Sequence, residues 1–302
     1  MTLKFDGVLF FPVTPFNDRL RVVPELITEH IGSRIDHGPG GIFAACGTGE
    51  FHALSVAEVG TVVSTTVAAA GGRVPVISGA GGPLGHALDC ARAAKDAGAD
   101  GLLLLPPYLV NAPVDGLVRY VEAVTEAADL PVIVYHRANA KFTAAAMARL
   151  AADPRVVGFK DGVGDLAEAQ RIVLAVTAAG RTDFQFFNGL LTAELSQAAY
   201  RAIGVPLYSS AAFAMAPEIA TACYTALATG DEERRVALLE CFYEPLVALR
   251  DRVPGYVVSL IKAGVVAGGL PVGGVRPPLT DPPAEDLARL KEILARGHDL
   301  IA

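Results

Sequence analysis

D-A-G-A-D-G-L-L-L-L (residues 96–105) and D-H-G-P-G-G-I-F-A (residues 36–44) repeat one event. In each, an amphipathic segment stops at a glycine, and an unbroken aliphatic run begins a few residues later. A strand that is apolar at successive positions is buried on both faces, as in a parallel sheet covered by helices. Working outward, β-prone runs recur at residues 7–13, 41–45, 75–79, 101–105, 131–135, 156–160, 184–188 and 206–209. Amphipathic segments follow them, at residues 24–36, 55–70, 85–97, 114–127, 143–152, 165–179, 192–201 and 217–228. Ser55 with Glu58 forms a capping box, and Asp165 with Glu168 is a similar acidic start. This alternation predicts an α/β fold, a (β/α)₈ TIM barrel. No run is followed by G-x-G-x-x-G, which argues against a doubly wound open sheet. After Gly230 the strand signal stops, and residues 231–250, 255–268 and 283–296 read as three more helices. The expected organisation is a barrel over residues 1–230 with a C-terminal helical annex, residues 231–302, packed on it.

Composition bounds the function. The chain has 302 residues, 52% hydrophobic and 19% charged, which excludes disorder. Its longest uncharged stretch, residues 202–217, carries two prolines, so no bilayer-spanning segment is expected. The N-terminus lacks the pattern of a secretory leader, and a cytoplasmic location is the expectation. The net charge of −7 comes with no basic stripe, so nucleic acid is not an expected partner. Cys46, Cys90, Cys223 and Cys241 form no C-x-x-C pair, and the six histidines are scattered. Neither a metal nor another cofactor is therefore expected.

In such a barrel the chemistry gathers at the carboxyl ends of the strands. Those ends read A-C-G-T-G-E-F (45–51), V-Y-H-R-A-N-A-K (134–141), G-F-K-D-G-V-G-D (158–165), F-N-G-L (187–190) and Y-S-S-A (208–211). Lys160, one of only six lysines, ends an otherwise apolar run and shares a face with Val156 and Gly158. A lysine held among apolar walls loses part of its preference for charge and becomes an amine nucleophile. The alternative is a lysine that reaches water where its strand stops. Tyr135 ends the preceding strand, so its hydroxyl either neighbours that amine or meets a backbone carbonyl in the core. Gly47, Thr48 and Gly49 offer uncrowded backbone N–H groups suited to a carboxylate, or simply make a turn. Arg137, Asn188 and Ser209 also stand at these ends, as candidate ligand-binding groups or as a loop cation and turn caps. Lys262 reads as an ordinary helix lysine whose stem covers apolar surface.

Together these strand ends resemble the dihydrodipicolinate synthase / N-acetylneuraminate lyase family of Schiff-base barrels, over essentially the whole chain. The family carries G-T-T-G-E after its second strand, a tyrosine ending the fifth and a lysine ending the sixth. Here those positions are Cys46–Glu50, Tyr135 and Lys160. The resemblance implies that Lys160 forms the imine and Tyr135 relays protons, in a homo-oligomer without cofactor. The synthase relay also uses two further hydroxyls, whose positions here are Gly47 and Leu109, and the family's Y-N-x-P is Tyr135-His136-Arg137-Ala138. F-K-D-G-V-G-D and the C-terminal V-R-P-P-L-T-D (275–281) resemble instead a branch acting on a keto sugar diacid. That branch converts 5-dehydro-4-deoxy-D-glucarate into 2,5-dioxopentanoate, water and carbon dioxide. The rival expectations are a retro-aldol lyase or aldolase on a 2-keto-3-deoxy sugar acid, also through Lys160, and a non-catalytic sugar-acid-binding barrel.

Overall fold

The computed structural model describes residues 3–302. Eight parallel strands close on themselves: β1 (Leu9–Phe10), β2 (Gly41–Ala44), β3 (Val76–Ala80), β4 (Gly101–Leu104), β5 (Val132–His136), β6 (Val156–Asp161), β7 (Gln185–Asn188) and β8 (Leu207–Ser210). Closure is the pairing of β1 with both β2 and β8. The outer ring is α1 (Pro24–Ile35), α2 (Val56–Ala70), α3 (Leu84–Asp96), α4 (Val114–Ala128), α5 (Ala144–Leu150), α6 (Leu166–Ala178), α7 (Gln197–Ala202) and α8 (Pro217–Thr229). Residues 231–302 add α9 (Glu232–Leu238), α10 (Glu244–Arg250), α11 (Tyr256–Ala267) and α12 (Ala284–Asp299). Among the described residues no helix is long and apolar enough to cross a membrane.

The local chemistry follows the sequence at most boundaries. The Ser55 hydroxyl accepts the Glu58 N–H while the Glu58 carboxylate accepts the Ser55 N–H, the reciprocal pair of a capping box. The Asp165 carboxylate likewise accepts the Glu168 N–H. Three elements differ. The run at 7–13 pairs only over Leu9–Phe10, because Pro12 has no N–H to place in a ladder. The segment at 231–250 is interrupted by a π-helical stretch, Leu239–Tyr243, just before Pro245, which cannot donate the next helical hydrogen bond. The segment at 192–201 opens with a 3₁₀ turn, Ala193–Leu195, behind Thr192 in the left-handed region at φ 53°.

The barrel is plugged from below. The Gln185 side chain accepts the Phe5 N–H at 2.9 Å and donates to the Leu3 carbonyl at 2.9 Å, seating the N-terminal segment under the strands. Phe5 then packs against Phe43 and Phe187 at 5.5 and 5.6 Å between centroids, and Phe11 stacks on Phe43 at 4.6 Å. Each such ring, fully buried, contributes about 2–3 kcal/mol. This aromatic column is the dry floor on which the strand-end polar groups stand.

Lys262 is not a surface lysine. It is 1% exposed on α11, and its amine donates to the Glu50 carboxylate at 2.9 Å, itself fully buried. The second Glu50 oxygen accepts the Arg276 N–H at 2.8 Å. The Arg276 guanidinium donates to the Ala53 carbonyl at 2.7 Å and pairs with Glu58. Phe16 lies between the two cations, its centroid 4.0 Å from the Lys262 amine and 4.1 Å from the Arg276 guanidinium. Glu50 adopts φ 57°, a conformation a non-glycine residue holds only when its surroundings impose it. The strand-two loop is thus anchored from residues more than two hundred positions downstream.

Removing one member leaves a buried charge without its partner. Lys262→Met is expected to cost about 3–5 kcal/mol in denaturant unfolding, with Lys262→Met/Glu50→Gln less destabilised than the two single losses added. A second test concerns His30, which is fully buried against Phe10 with both ring nitrogens unpartnered. Burial, aided by Arg34, lowers its pKa from 6.5 to about 3. The folded state therefore holds His30 neutral, and stability is lost as pH falls below 6.5 towards 3. Melting temperatures of His30→Leu should decline less than those of the parent between pH 7 and 5; parallel declines would exclude His30 as the cause.

Candidate active site

The carboxyl ends of the strands surround a cavity of about 400 Å³. Lys160, Tyr135, Arg137, Gly47, Thr48 and Ser209 all line it, so the barrel brings most of the sequence candidates to one space. Residues from beyond the barrel strands complete its rim: Gly255, Val257, Val258 and Leu279. Tyr108 and Asn139 line it as well, and so do His52 and Thr192, which the strand ends do not single out. They sit in loops whose paths no strand periodicity reports, although each lies within a few residues of a strand end that was noted.

Lys160 stands at the end of β6, paired in register with Tyr135 on β5 and Phe187 on β7. It is 5% exposed, and its amine lies 4.6 Å from the Phe11 centroid and 4.2 Å from that of Tyr135. Burial lowers its pKa, opposed by the neighbouring Tyr135 and Cys46. Two glycines make the space. A Cβ on Gly189 would stand 2.6 Å from Lys160 Cγ and 2.7 Å from Cε. One on Gly162 would stand 2.7 Å from the Tyr135 ring. Gly189 of F-N-G-L and Gly162, the first glycine of F-K-D-G-V-G-D, are therefore steric requirements of the lysine and tyrosine beside them.

The Tyr135 hydroxyl donates to the Gly189 carbonyl at 2.9 Å and accepts from Arg137 Nη1 at 2.8 Å. Burial alone would raise its pKa, yet the Lys160 and Arg137 charges pull it below the usual phenol value. Burial thus favours the neutral amine, while a protonated Lys160 together with Arg137 would favour the phenolate, so the two groups compete for one proton. Proton exchange between them is cheap, as reversible carbonyl addition requires.

Loops behind this layer are tied down individually. Asp161 accepts the Val163 N–H at 2.9 Å and the Tyr200 hydroxyl, fixing the turn after β6. His136, on the opposite face of β5 from Tyr135, accepts the Phe142 N–H at 2.9 Å and packs against Phe159. The Thr14 hydroxyl donates to the Gly49 carbonyl at 2.7 Å.

Two candidates do not line the cavity. Asn188 is fully buried: its amide donates to Ala193 O, Ser196 Oγ and Gln197 Oε1 at 2.9–3.1 Å, and its Oδ1 accepts the Leu190 N–H. All its hydrogen-bonding capacity is spent on the turn after β7, because period-two alternation aims it away from the face that Phe187 shares with Lys160. Gly49 is buried beneath the loop, where a Cβ would meet the Pro12 carbonyl at 3.2 Å and Ala45 backbone at 3.3 Å. It shapes the Gly47–Thr48 rim without lining it. Among the described residues no group of three or more His, Cys, Asp or Glu side chains has the arrangement of a metal site.

Comparison with known proteins places this geometry. A profile of the dihydrodipicolinate synthetase family matches residues 4–296. A protein of Streptomyces griseus named probable 5-dehydro-4-deoxyglucarate dehydratase is 51% identical over 98% of this chain and 93% of its own. One of the same name from Paracidovorax citrulli is 42% identical over 97% of this chain and 96% of its own. The crystal structure of dihydrodipicolinate synthase from Bacillus clausii superposes with a TM-score of 0.87 at 25% identity, covering 96% of each chain. That from Oceanobacillus iheyensis, at 24% identity over 98% of this chain and 97% of its own, shares the fold with a TM-score of 0.88. A barrel closed in this order, with lysine and tyrosine in register on adjoining strands and profile and relatives matching nearly end to end, belongs to the dihydrodipicolinate synthetase family.

Proposed function

We propose that the protein is a decarboxylating dehydratase that converts 5-dehydro-4-deoxy-D-glucarate to 2,5-dioxopentanoate, water and carbon dioxide through an imine on Lys160. The observation that carries this is the buried Lys160 amine at the cavity floor, within 4.2 Å of the Tyr135 ring centroid. The names and near-complete coverage of the relatives supply the substrate class.

The substrate bears a ketone beside one carboxylate, then a methylene, then two hydroxyl-bearing carbons and a second carboxylate. Neutral Lys160 attacks the ketone, and loss of water gives a protonated imine. Tyr135, its proton moved on, removes a methylene proton, and the resulting enamine expels the adjacent hydroxyl as water. The conjugated iminium left behind accepts the electron pair released when the distal carboxylate departs as carbon dioxide. Protons return to the two former methylene and hydroxyl carbons, the enol becomes an aldehyde, and water frees Lys160. One covalent electron sink serves both cleavages.

Gly47 and Thr48 form the rim suited to the keto-acid carboxylate. Arg137 spends one N–H on Tyr135 and keeps others for the distal carboxylate, while Ser209 faces the cavity near the hydroxyl-bearing carbons. A keto sugar diacid is thus the small-molecule partner.

Incubation with 5-dehydro-4-deoxyglucarate should release carbon dioxide and an aldehyde in equal amounts. Pyruvate in place of carbon dioxide would instead establish the retro-aldol rival, and no turnover with no borohydride trapping would leave a binding barrel. Lys160→Ala should fold and lose all turnover and trapping. Tyr135→Phe should lower the rate by about two to four orders of magnitude. Gly189→Ala, whose methyl would displace the lysine stem, should lose about a hundredfold in trapping rate. Arg137→Ala should weaken the diacid relative to a keto acid without the distal carboxylate by about 10- to 150-fold in kcat/KM. An equal loss on both would reassign Arg137 to holding Tyr135 alone.

A further inference from the structure

Behind the substrate cavity lies a void of about 20 Å³, and the two share Thr192, Ala211 and Val257 as a common wall. Glu194 faces this void and is 5% exposed. The Ser210 hydroxyl donates to Glu194 Oε1 at 2.6 Å and accepts the Phe213 N–H at 3.3 Å. Two residues before Glu194, Thr192 is held in its left-handed conformation by Arg250, whose Nη1 donates to the threonine hydroxyl at 2.8 Å. The turns after β7 and β8 and helix α10 therefore meet around one carboxyl group.

We propose that Glu194 is a positioning residue for the substrate cavity: buried, and bonded through Ser210, it joins the turns after β7 and β8 and holds the wall formed by Thr192 and Ala211. This goes deeper into the site proposed above and rests on that reading for its substrate.

The surroundings suit a neutral acid and not an anion. Around the carboxyl stand Tyr208 of β8, Cys223 of α8 and Tyr243 of the π-helical stretch, none of them a cation. The Tyr208 and Tyr243 hydroxyls are buried without partners. Arg250 reaches the same void, but its guanidinium is engaged by Thr192 and, at 2.7 Å, by Asp251. Among the described residues no salt bridge reaches Glu194. Burial pushes its pKa from 4.5 up to about 7, with the Ser210 hydrogen bond offsetting part of that shift. A void this size holds at most one water, so ionisation finds little solvent to stabilise it.

The sign of the linkage is fixed. A carboxyl whose folded pKa lies above its unfolded value stabilises fully below pH 4.5, and that contribution is lost as pH rises through about 7. The test compares the parent with Glu194→Gln, a neutral isostere, and Glu194→Ala. Melting temperatures measured from pH 5 to 8 should fall more steeply in the parent than in Glu194→Gln. With 5-dehydro-4-deoxyglucarate, Glu194→Ala should raise KM about tenfold with a much smaller change in kcat, and Glu194→Gln should restore KM. Equal pH slopes in parent and Glu194→Gln would overturn the neutral state. An unchanged KM in Glu194→Ala, whatever its melting temperature, would overturn the positioning role. If the parent releases no carbon dioxide, the reaction assigned above fails by itself. The half-saturation of borohydride trapping by pyruvate then replaces KM, and the melting series decides the neutral state in either case.

Discussion

Burying an amine is the constraint to which the rest of the site answers. An isolated ammonium in a dry interior is so costly that the group gives up its proton instead. Lys160 stands on a floor of aromatic rings, Phe11, Phe43 and Phe187, that offers it no carboxylate. What it has instead is Tyr135, an acid weak enough to coexist with a free amine and close enough to exchange a proton with it. The arrangement demands room, and Gly189 and Gly162 supply it on either side. A methyl group at either position would force the lysine stem or the tyrosine ring to shift.

A second layer holds the first in place, and it draws on residues far away in the chain. Glu50 turns the strand-two loop into its left-handed bend and is neutralised by Lys262 from α11, with the Arg276 N–H on its other oxygen. Such a buried pair adds little net stability over an apolar substitute, because desolvation consumes most of the Coulomb attraction. Its physical consequence is geometric: the rim at Gly47 and Thr48 cannot shift without exposing or orphaning a charge. Residues 231–302 accordingly do more than cover the barrel. They anchor one rim of the cavity through Lys262 and Arg276 and wall another with Gly255, Val257 and Val258.

Most of the architecture is legible in the sequence. The glycine-terminated helices and unbroken aliphatic runs are local consequences of backbone sterics and burial, and they report strand order directly. Lys160 and Tyr135 were legible for the same reason, since a polar group closing an apolar strand can only emerge at the rim. Asn188 misled because alternation sends neighbouring strand-end residues to opposite faces: Phe187 shares the inner face with Lys160, while Asn188 turns outward to cap its own loop. Lys262 misled because nothing local distinguishes a solvated helix lysine from one whose partner lies 212 residues away.

What the sequence determined by itself was therefore the part set by short-range rules: the alternation of elements, the helix caps, the order of the strands, and which strands end in polar groups. What only the tertiary structure decided was which polar groups meet. The contacts of Lys160 with Phe11, of Glu50 with Lys262 and of Thr192 with Arg250 join segments remote in the chain. Barrel closure brings every strand's carboxyl end to one rim and the C-terminal helices dock against it; with water gone from there, a charge such as Glu50 is tolerated only because a partner such as Lys262 meets it.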